Sequence, residues 1–314
     1  MAVRCYRPAP MRVLLLVNSS ASSVTARGRV VIQKALSADH EVTLAETSRR
    51  GHATRLAQGA AVDGIDVVVV LGGDGTLNEA ANGLAGTSTA LAALPGGSTN
   101  VFARTLGLPD DAIEATGDLL GALARGSIRR VGLGMVNGRY FLFHAGLGFD
   151  AAIVARVEKR AGLKRYASHP LFLYSAFETW FRHYDHRRPR FSVQIPGHAI
   201  VDDGYFAVCL NTNPYTFFGS RPLNVAPGTT LDNGLAMVTV RTLALPTIIA
   251  IGLSALGRGT GLRRNHAVDL QTDVGSIRVD GYGPFPYQVD GDYLGEVTSL
   301  EFSHHPDALA LVMP

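Results

Sequence analysis

The sequence predicts an α/β plus β protein with two domains, an N-terminal α/β domain and a C-terminal antiparallel β-sandwich domain. The chain has 314 residues, which is about twice the usual length of one domain. Strand and helix patterns alternate over the first part of the chain, as is typical of a parallel sheet covered by helices. From about residue 129, short strand-like runs separated by Gly, Pro and Asp follow one another, which favours antiparallel strands.

In the first part, four apolar runs predict parallel strands. The clearest is 66–71 (DVVVVL), an uninterrupted apolar run of the kind that is buried on both faces. The other strands are predicted at 12–18, 41–46 and 90–94, and helices are predicted at 27–38, at 52–61 and from about residue 76. Helices between successive strands predict βαβ units.

The second part contains six strand-like runs and two helical segments. The strands are predicted at 139–144, 190–195, 205–211, 235–241, 276–280 and 287–290, and the helices at 151–159 and 170–184. We place the first domain at 1–130 and the second at 131–302. The last residues, about 303–314, are expected to pack back onto the first domain.

Cysteine content and hydropathy indicate the compartment. Two cysteines, Cys5 and Cys209, cannot form a disulfide framework or a four-ligand zinc site, and they fit a reducing compartment. The longest apolar segment, 243–257, contains Pro, Gly and polar residues and is shorter than the ~20 residues that a spanning helix needs. The run 13–17 is too short for a secretory signal. We therefore expect a soluble, cytoplasmic protein.

The charge of the chain says little about its partners. The formal net charge is +3, and only three of the 29 basic residues are lysines. Arginine binds phosphate in a bidentate manner, although coding composition explains the same bias. Because no RRM, KH or zinc pattern accompanies the small charge, we predict no nucleic-acid partner.

The most informative motif is the glycine-rich turn 71–79 (LGGDGTLNE). It follows the clearest strand and precedes a helix, at the carboxyl end of a parallel strand where ligands bind. Glycines allow close approach of the backbone, and a helix N-terminus favours an anion. The alternative is an ordinary turn in which Asp74 or Thr76 caps the helix. The spacing matches neither a Walker A loop nor GxGxxG.

A second glycine-rich turn, 95–100 (PGGSTN), follows the next predicted strand. Because the carboxyl ends of parallel strands share one edge of the sheet, the two turns are expected to form two walls of one polyphosphate-binding cleft. A loop that is simply rich in turn-forming residues is the alternative.

Four segments in order along the chain, GGDGTLNEAANGL, LPGGSTNVFAR, AGLGFDA and QVDGD, resemble the diacylglycerol kinase catalytic family. This family includes soluble bacterial lipid kinases and the ceramide and sphingosine kinases. The resemblance implies an N-terminal nucleotide-binding domain similar to NAD kinases and phosphofructokinases, and a β-sandwich domain for the lipid. It implies phosphorylation of a lipid hydroxyl with ATP and Mg²⁺. Diacylglycerol is the expected substrate, and phosphatidic acid is the expected product.

The resemblance also implies which residues contact the nucleotide. They are Asn18, Ser22, Thr47, Gly72, Gly73, Asp74, Gly75, Thr76, Asn78, Glu79, Gly97, Ser98 and Asn100. The loop 18–22 (NSSAS) stands where the family has NPxSG and departs from that pattern at most positions, and Val101 stands where the family has Asp. Asp74 is also the expected ligand of a catalytic Mg²⁺, which prefers oxygen ligands.

Two further segments match the family near the C-terminus. The DGD at 290–292 stands where the family has DGE, whose Glu is proposed as the general base, so the resemblance implies Asp292 as base. Asp290 is the next candidate, and a plain hairpin turn is the alternative. The stretch 231–235 (LDNGL) matches a magnesium-binding DDG turn, which implies Asp232 as a ligand although Asn233 replaces an acidic residue.

Two basic segments beside apolar residues suggest a membrane-facing surface. They contain Arg156, Lys159, Arg160, Lys164 and Arg165, and Arg182, Arg187, Arg188 and Arg190. A solvated basic face is the alternative. The HxxH at 183–186 is not expected to bind a metal, because the neighbouring positive charges oppose a cation. We expect peripheral association with the membrane that holds the lipid substrate.

Two other functions stay open. The first is an NAD kinase-like enzyme or another small-molecule kinase. The second is a non-catalytic regulator that binds nucleotide or lipid, suggested by the departures from the family pattern at 19–21, Val101 and Asp292. The resemblance also allows a homodimer.

Overall fold

The computed structural model describes residues 9–159 and 188–314, with the side chains of 156–159 left out. The predicted helix 170–184, Cys5 and most of the two basic segments lie outside these residues. The chain forms two compact units. The first comprises Met1–Val131 and Asp307–Pro314, and the second comprises Gly132–Pro306.

The first unit is a parallel sheet with helices between its strands. Its elements are β1 (Arg12–Val17), α1 (Ala26–Leu36), β2 (Glu41–Glu46), α2 (His52–Val62), β3 (Val67–Gly72), α3 (Asp74–Leu84), β4 (Ala90–Pro95), α4 (Val101–Thr105) and α5 (Ala112–Ala124). The strands lie in the order β4-β3-β1-β2, all parallel. Strands β3 and β4 are buried along their whole length, as expected of apolar runs in a covered parallel sheet.

The second unit consists mainly of antiparallel strands. Its elements are β5 (Ile128–Val136), β6 (Arg139–Phe141), β7 (His144–Gly148), α6 (Phe149–Lys159), β8 (Phe191–Gln194), β9 (Val201–Gly204), β10 (Phe206–Leu210), β11 (Thr216–Phe218), β12 (Arg221–Leu223), β13 (Leu235–Val240), α7 (Leu245–Leu256), β14 (Val268–Val274), β15 (Ser276–Val289) and β16 (Asp292–Val312). Strand β5 begins in the first unit, and β16 ends there, where Leu311 lies parallel to Leu91 of β4.

The long strand β15 joins two groups of strands around one core. Its first half pairs with β8, and its second half pairs with β7, beyond which β10, β13 and β14 follow. The buried core contains side chains from both groups, among them Phe191, Phe285 and Met237. This arrangement confirms the predicted combination of an α/β fold with an antiparallel β fold.

Two strand predictions were wrong in their bounds, each for a visible reason. The run 139–144 divides into β6 and β7 because the backbone N–H groups of Leu142, Phe143 and His144 donate to the Asp290 carboxylate. The separate runs 276–280 and 287–290 form the single strand β15, whose pairing register shifts between Asp280 and Phe285. Among the described helices, none is both long and apolar enough to cross a bilayer.

Candidate active site

Three loops of the first unit meet at the carboxyl edge of its parallel sheet. Asn18, after β1, donates its backbone N–H to Leu71 O (3.0 Å) and its side-chain Nδ2–H to Thr76 Oγ1 (2.9 Å). Ser23 donates its N–H to Gly96 O, also at 3.0 Å. The loops that follow β1, β3 and β4 are therefore held together as one surface.

The two glycine-rich turns touch through their backbones. Gly96 N donates to Gly72 O at 2.9 Å. A Cβ at Gly96 would lie 2.9 Å from Gly72 Cα, and one at Gly97 would lie 2.8 Å from Gly73 Cα. The turns are neighbours, as predicted, and these four glycines are in direct backbone contact. Glycine is needed at 96 and 97 because the backbones approach too closely for a Cβ.

Gly73 differs from the other glycines of these turns. Its backbone is extended (φ −86°, ψ 176°), a conformation open to any residue. A Cβ there would meet nothing nearer than Gly97 Cα at 3.5 Å, which is ordinary contact. The fold itself therefore does not require glycine at 73, and the space above this residue is available for a ligand.

Helix α3 begins at this turn, and its N-cap residue provides no side-chain hydrogen bond. Thr25 caps α1, whereas the N-cap residues of α2 and α4 also provide none, and carboxylates from elsewhere in the chain, Glu79 and Asp74, accept N–H groups of these two helices. The N-cap of α3 is Gly73, which has no side chain. The N-terminus of an 11-residue helix that begins at a glycine-rich turn suits an anion such as phosphate.

Asp74 has a structural role that the sequence did not indicate. Its Oδ2 accepts the N–H of Val101 (3.0 Å) and its Oδ1 accepts that of Phe102 (3.1 Å), so it caps α4 and ties the first turn to the second. The expected role as a metal ligand stays a prediction. The carboxylate is an oxygen donor of the kind that Mg²⁺ takes together with substrate phosphates.

Two other predicted nucleotide ligands, Glu79 and Asn78, hold parts of the fold together. Glu79 accepts N–H groups of Gly51 (2.7 Å) and Ala53 (3.1 Å) at the start of α2. Buried Asn78 accepts from Asn82 Nδ2 at 3.3 Å.

The Asn100 amide closes the second turn. It accepts from Gly97 N at 2.7 Å and donates to Asp110 Oδ1 at 2.8 Å, at a left-handed backbone position (φ 49°). These contacts are sufficient to explain an asparagine at position 100, even if Asn100 contacts no ligand.

Four remaining predicted ligands lie nearer the surface. Ser22 and Ser98 are exposed, and Thr47 and Gly75 are half-buried. Thr47 follows β2 and donates its N–H to Val17 O at 2.9 Å, which places it beside the loop after β1. Their contact with a nucleotide stays a prediction.

In the second unit, the two aspartates of the DGD turn lie in different environments. Asp290 is 3% exposed, and its carboxylate accepts the N–H groups of Leu142 (2.7 Å), Phe143 (3.0 Å) and His144 (3.1 Å). Asp290 is therefore a structural residue. The side chain of Asp292 is 19% exposed and lies 3.1 Å from Arg139 Nη2, so it is the more accessible carboxylate.

A buried polar network supports this turn. Gly291 N donates to Gln288 Oε1 at 2.8 Å, and Gln288 Nε2 donates to Asp150 Oδ2 at 2.9 Å. Tyr215 OH donates to Asp150 Oδ1. Burial raises the pKa of Asp150 while these two hydrogen bonds oppose the shift, and burial with the nearby carboxylate raises the pKa of Tyr215.

Sequence reasoning missed this network. Asp150 was visible only as part of the AGLGFDA segment and Gln288 only as part of QVDGD, and nothing in the sequence marks Tyr215. His144 lies beside it, with its ring centroid 4.4 Å from that of Tyr215. Burial lowers the pKa of His144 to about 3, so the imidazole is neutral near pH 7.

The predicted magnesium site at 231–235 has few ligands. Asp232 is exposed, and Asn233 Oδ1 accepts from Thr230 Oγ1 at 2.6 Å. Among the described residues, no three His, Cys, Asp or Glu side chains lie together as a metal-binding group. Of the basic residues expected to face a membrane, Arg188 is exposed and Arg190 is half-buried, whereas the remaining side chains lie outside the described part.

Known proteins resemble this chain in sequence. Residues 12–136 match the diacylglycerol kinase catalytic domain. The diacylglycerol kinase of Bacillus subtilis is 29% identical over 90% of this chain and 89% of its own length. A protein of Pseudomonas aeruginosa named "Probable lipid kinase YegS-like" is 29% identical over 96% of this chain and 94% of its own length.

Solved structures share the fold. A diacylglycerol kinase from Bacillus anthracis has a TM-score of 0.72 at 20% identity, covering 97% of both chains. An NAD kinase from Archaeoglobus fulgidus in complex with ATP has a TM-score of 0.53 at 9% identity, covering 96% of this chain and 93% of that one. The resemblance to the diacylglycerol kinase catalytic family is thus confirmed over residues 12–136, which match that catalytic domain.

Proposed function

We propose that the protein is an ATP-dependent lipid kinase that transfers the γ-phosphate to a lipid hydroxyl, with diacylglycerol as the acceptor and phosphatidic acid as the product. The observation that carries the proposal is the turn 72–76. It starts α3 without a side-chain cap from Gly73, at the carboxyl edge of the parallel sheet in the matched catalytic domain. Two relatives over most of the chain are named diacylglycerol kinase and lipid kinase.

In this proposal the first unit binds the phosphates of ATP. Gly73 leaves room for a phosphate, and the first turn of α3 offers N–H groups to it. Thr76 and Asn18 are held at the same edge by their hydrogen bond. Asp74 is the residue that would hold Mg²⁺, which supplies charge neutralisation at the phosphates.

The second unit supplies the general base in this proposal. A lipid hydroxyl is a poor nucleophile, and a carboxylate that accepts its proton accelerates transfer. Asp292 is assigned this role because the carboxylate of Asp290, the other aspartate of the turn, is occupied by three backbone N–H groups, whereas Asp292 is partly exposed. Asp292 is one methylene shorter than the family's glutamate.

An NAD kinase-like activity is the competing enzyme function. It is favoured only by the likeness in fold to the A. fulgidus enzyme, at 9% identity. A regulator without turnover would bind ATP but transfer no phosphate. Both are decided by the same experiment.

The test is phosphorylation of a panel of acceptors by the purified full-length chain with γ-labelled ATP and Mg²⁺. The panel contains diacylglycerol, monoacylglycerol, a sphingoid base and a polyprenol in mixed micelles, and NAD in solution. We expect label in phosphatidic acid and none in NADP, and far less label with an Asp74→Asn control. Label in NADP alone, or ATP binding without any labelled product, would overturn the proposal.

A further inference from the structure

One face of α7 presents large apolar side chains to solvent. Leu245, Ile249, Leu253 and Leu256 are 40%, 52%, 67% and 42% exposed. Their spacing of four, four and three residues places them along one side of the helix. Another side, with Ile248 and Ile251, packs against the core of the second unit. The helix is therefore anchored in the fold while its apolar stripe faces outward.

This stripe is unusual for a helix at the surface of a globular unit. The solvent side of such a helix normally carries polar and charged residues, but α7 (LPTIIAIGLSAL) contains no charged residue. Single exposed apolar side chains need no explanation, whereas contiguous ones indicate an interaction surface. The four side chains extend over about 16 Å of helix.

Positive charge lies next to the stripe. Between Arg241 and Asp269 the chain has no acidic residue and three arginines, Arg258, Arg263 and Arg264. All three arginines are exposed, and no ion pair joins them to a carboxylate in the described part of the chain.

The fold holds these arginines at the end of the helix. Gly259 N donates to Ser254 O of α7 at 3.0 Å, and Asn224 Nδ2 donates to Gly257 O at 3.0 Å. The short 3-10 turn Leu262–Arg264 is anchored by Leu262, which is buried in the core. Apolar stripe and arginines therefore belong to one ordered segment, and together we call them the α7 face.

We propose that the α7 face is a docking surface for an anionic lipid bilayer. The side chains of the stripe contain no hydrogen-bonding group. The stripe therefore suits the boundary between lipid headgroups and acyl chains better than a partner that is recognised through hydrogen bonds. Arginine binds phosphate in a bidentate manner, and basic residues are attracted to an anionic leaflet. The proposal rests on the proposed function in one respect, since a lipid kinase must reach an acceptor at a bilayer.

The test is co-sedimentation of the full-length chain with phosphatidylcholine vesicles, prepared with and without phosphatidylglycerol. We expect the double variant Ile249→Ser/Leu253→Ser to bind anionic vesicles on the order of tenfold more weakly than the wild type. Arg263→Gln/Arg264→Gln should weaken binding only to the anionic vesicles. The matched control is Val62→Ser, an 87% exposed position on α2 of the first unit, which should bind as the wild type does.

Several outcomes would overturn the docking surface. These are a wild type that does not bind anionic vesicles, or a double variant that keeps wild-type affinity with an unchanged melting temperature. If sedimentation velocity showed that the double variant loses self-association while vesicle binding is kept, the face would be an interface between copies instead.

A second readout separates this proposal from the proposed kinase function. Each variant is also assayed with a short-chain diacylglycerol dispersed in detergent, which needs no bilayer. Equal turnover of this substrate with lost vesicle binding supports both proposals. No turnover by any variant, with vesicle binding lost in the double variant, leaves the docking surface standing and overturns the kinase function.

Discussion

The two turns expected to carry the chemistry each hold an aspartate that accepts backbone N–H groups, but they differ in what lies beside it. In the first unit, Asp74 caps α4, and the backbone at Gly73 is left open. In the second unit, Asp290 is enclosed by backbone N–H groups, whereas Asp292 stays partly exposed beside Arg139. The contacts of a carboxylate therefore decide which role is open to it, and two aspartates that are two positions apart differ in exposure and in partners.

Glycine produces this separation in the second turn. Asp290 has a left-handed backbone (φ 47°) and Gly291 follows with φ 82°, which reverses the chain between β15 and β16. Two successive positive φ values are those of a type I′ hairpin turn. The hairpin reading of DGD and the base reading are thus compatible, because the turn buries one aspartate and leaves the other accessible.

The largest effect is expected from Asp292→Asn. If Asp292 accepts the proton of the lipid hydroxyl, loss of its basicity should lower kcat by about 10²–10⁴-fold. The melting temperature and the KM for ATP should stay near wild type, since the asparagine oxygen can still accept from Arg139. Asp292→Glu should retain much of the activity. The measurement is steady-state transfer from labelled ATP to diacylglycerol.

Asp290→Asn is the matched comparison within the same turn. An amide nitrogen would replace one oxygen that faces backbone N–H donors, and the unfolding free energy should fall by about 1.5–3 kcal/mol. Wild-type kcat in Asp292→Asn would place the base elsewhere. Wild-type stability in Asp290→Asn would contradict the structural role assigned to that residue.

In the first turn, Asp74→Asn should lower kcat by about 10²–10³-fold, as expected when charge developing at the phosphates loses a balancing group. One of the two caps on α4 persists through the remaining oxygen, so we expect only a modest fall in melting temperature. Asp111→Asn is the matched control, because Asp111 caps α5 through two N–H groups, both at 2.9 Å. Because Oδ1 of Asp111 alone accepts both N–H groups, an asparagine keeps this cap. Asp111→Asn should therefore keep both its stability and its kcat, and equal kcat in both variants would refute a chemical role for Asp74.

The two glycine turns can be compared by adding one methyl group to each. Gly97→Ala should lower the unfolding free energy by about 1–3 kcal/mol, because its Cβ would lie 2.8 Å from Gly73 Cα. Gly73→Ala meets only ordinary contact at 3.5 Å and should unfold like the wild type while its KM for ATP rises. Thermal denaturation and ATP kinetics check the pair. An unchanged KM in Gly73→Ala would mean that no phosphate approaches this backbone.

Much of the first unit was predictable because its signals are local. The run 66–71 predicted β3 at Val67–Gly72, and GGDGT predicted a turn at its carboxyl end. The contact between the two glycine turns was not predictable in detail, since sequence shows that glycine is present but not whether a ligand or another backbone requires it. The capping roles of Asp74 and Glu79 were hidden for a similar reason, because the N–H groups they accept lie 26 to 28 residues away.

In the second unit the unpredicted features depend on distant partners. The run 139–144 does not form one continuous strand, because the carboxylate of Asp290, 148 residues from Leu142, accepts a backbone N–H group there. Asp150 meets Tyr215 and Gln288 across 65 and 138 residues. No periodicity in the sequence reports such pairs, so the family resemblance found the DGD turn while the network beneath it appeared only in the structure.

The two turns are also expected to differ in their response to acid. Two hydrogen bonds join His144 to Asp290 of the second turn. His144 N donates to the side-chain Oδ1 of Asp290, and Asp290 N donates to the backbone oxygen of His144. Burial lowers the pKa of His144 from 6.5 to about 3. Between these pH values the unfolded chain binds a proton at this residue and the folded chain does not, so lowering the pH destabilises the fold, by about 1.4 kcal/mol per pH unit.

The raised pKa of Asp150 acts in the other direction, because the folded carboxyl takes its proton at a higher pH than the unfolded one. Its contribution is common to the wild type and to His144→Phe, so the difference in slope between them reports on His144. We expect His144→Phe to lose less unfolding free energy than the wild type as the pH falls from 6.5 towards 3. The exposed His266 provides the control, and His266→Gln should follow the wild-type slope. Denaturant unfolding at a series of pH values gives the slope of unfolding free energy against pH for the wild type and both variants. Equal slopes for the wild type and His144→Phe would show that His144 does not cause the loss of stability in acid.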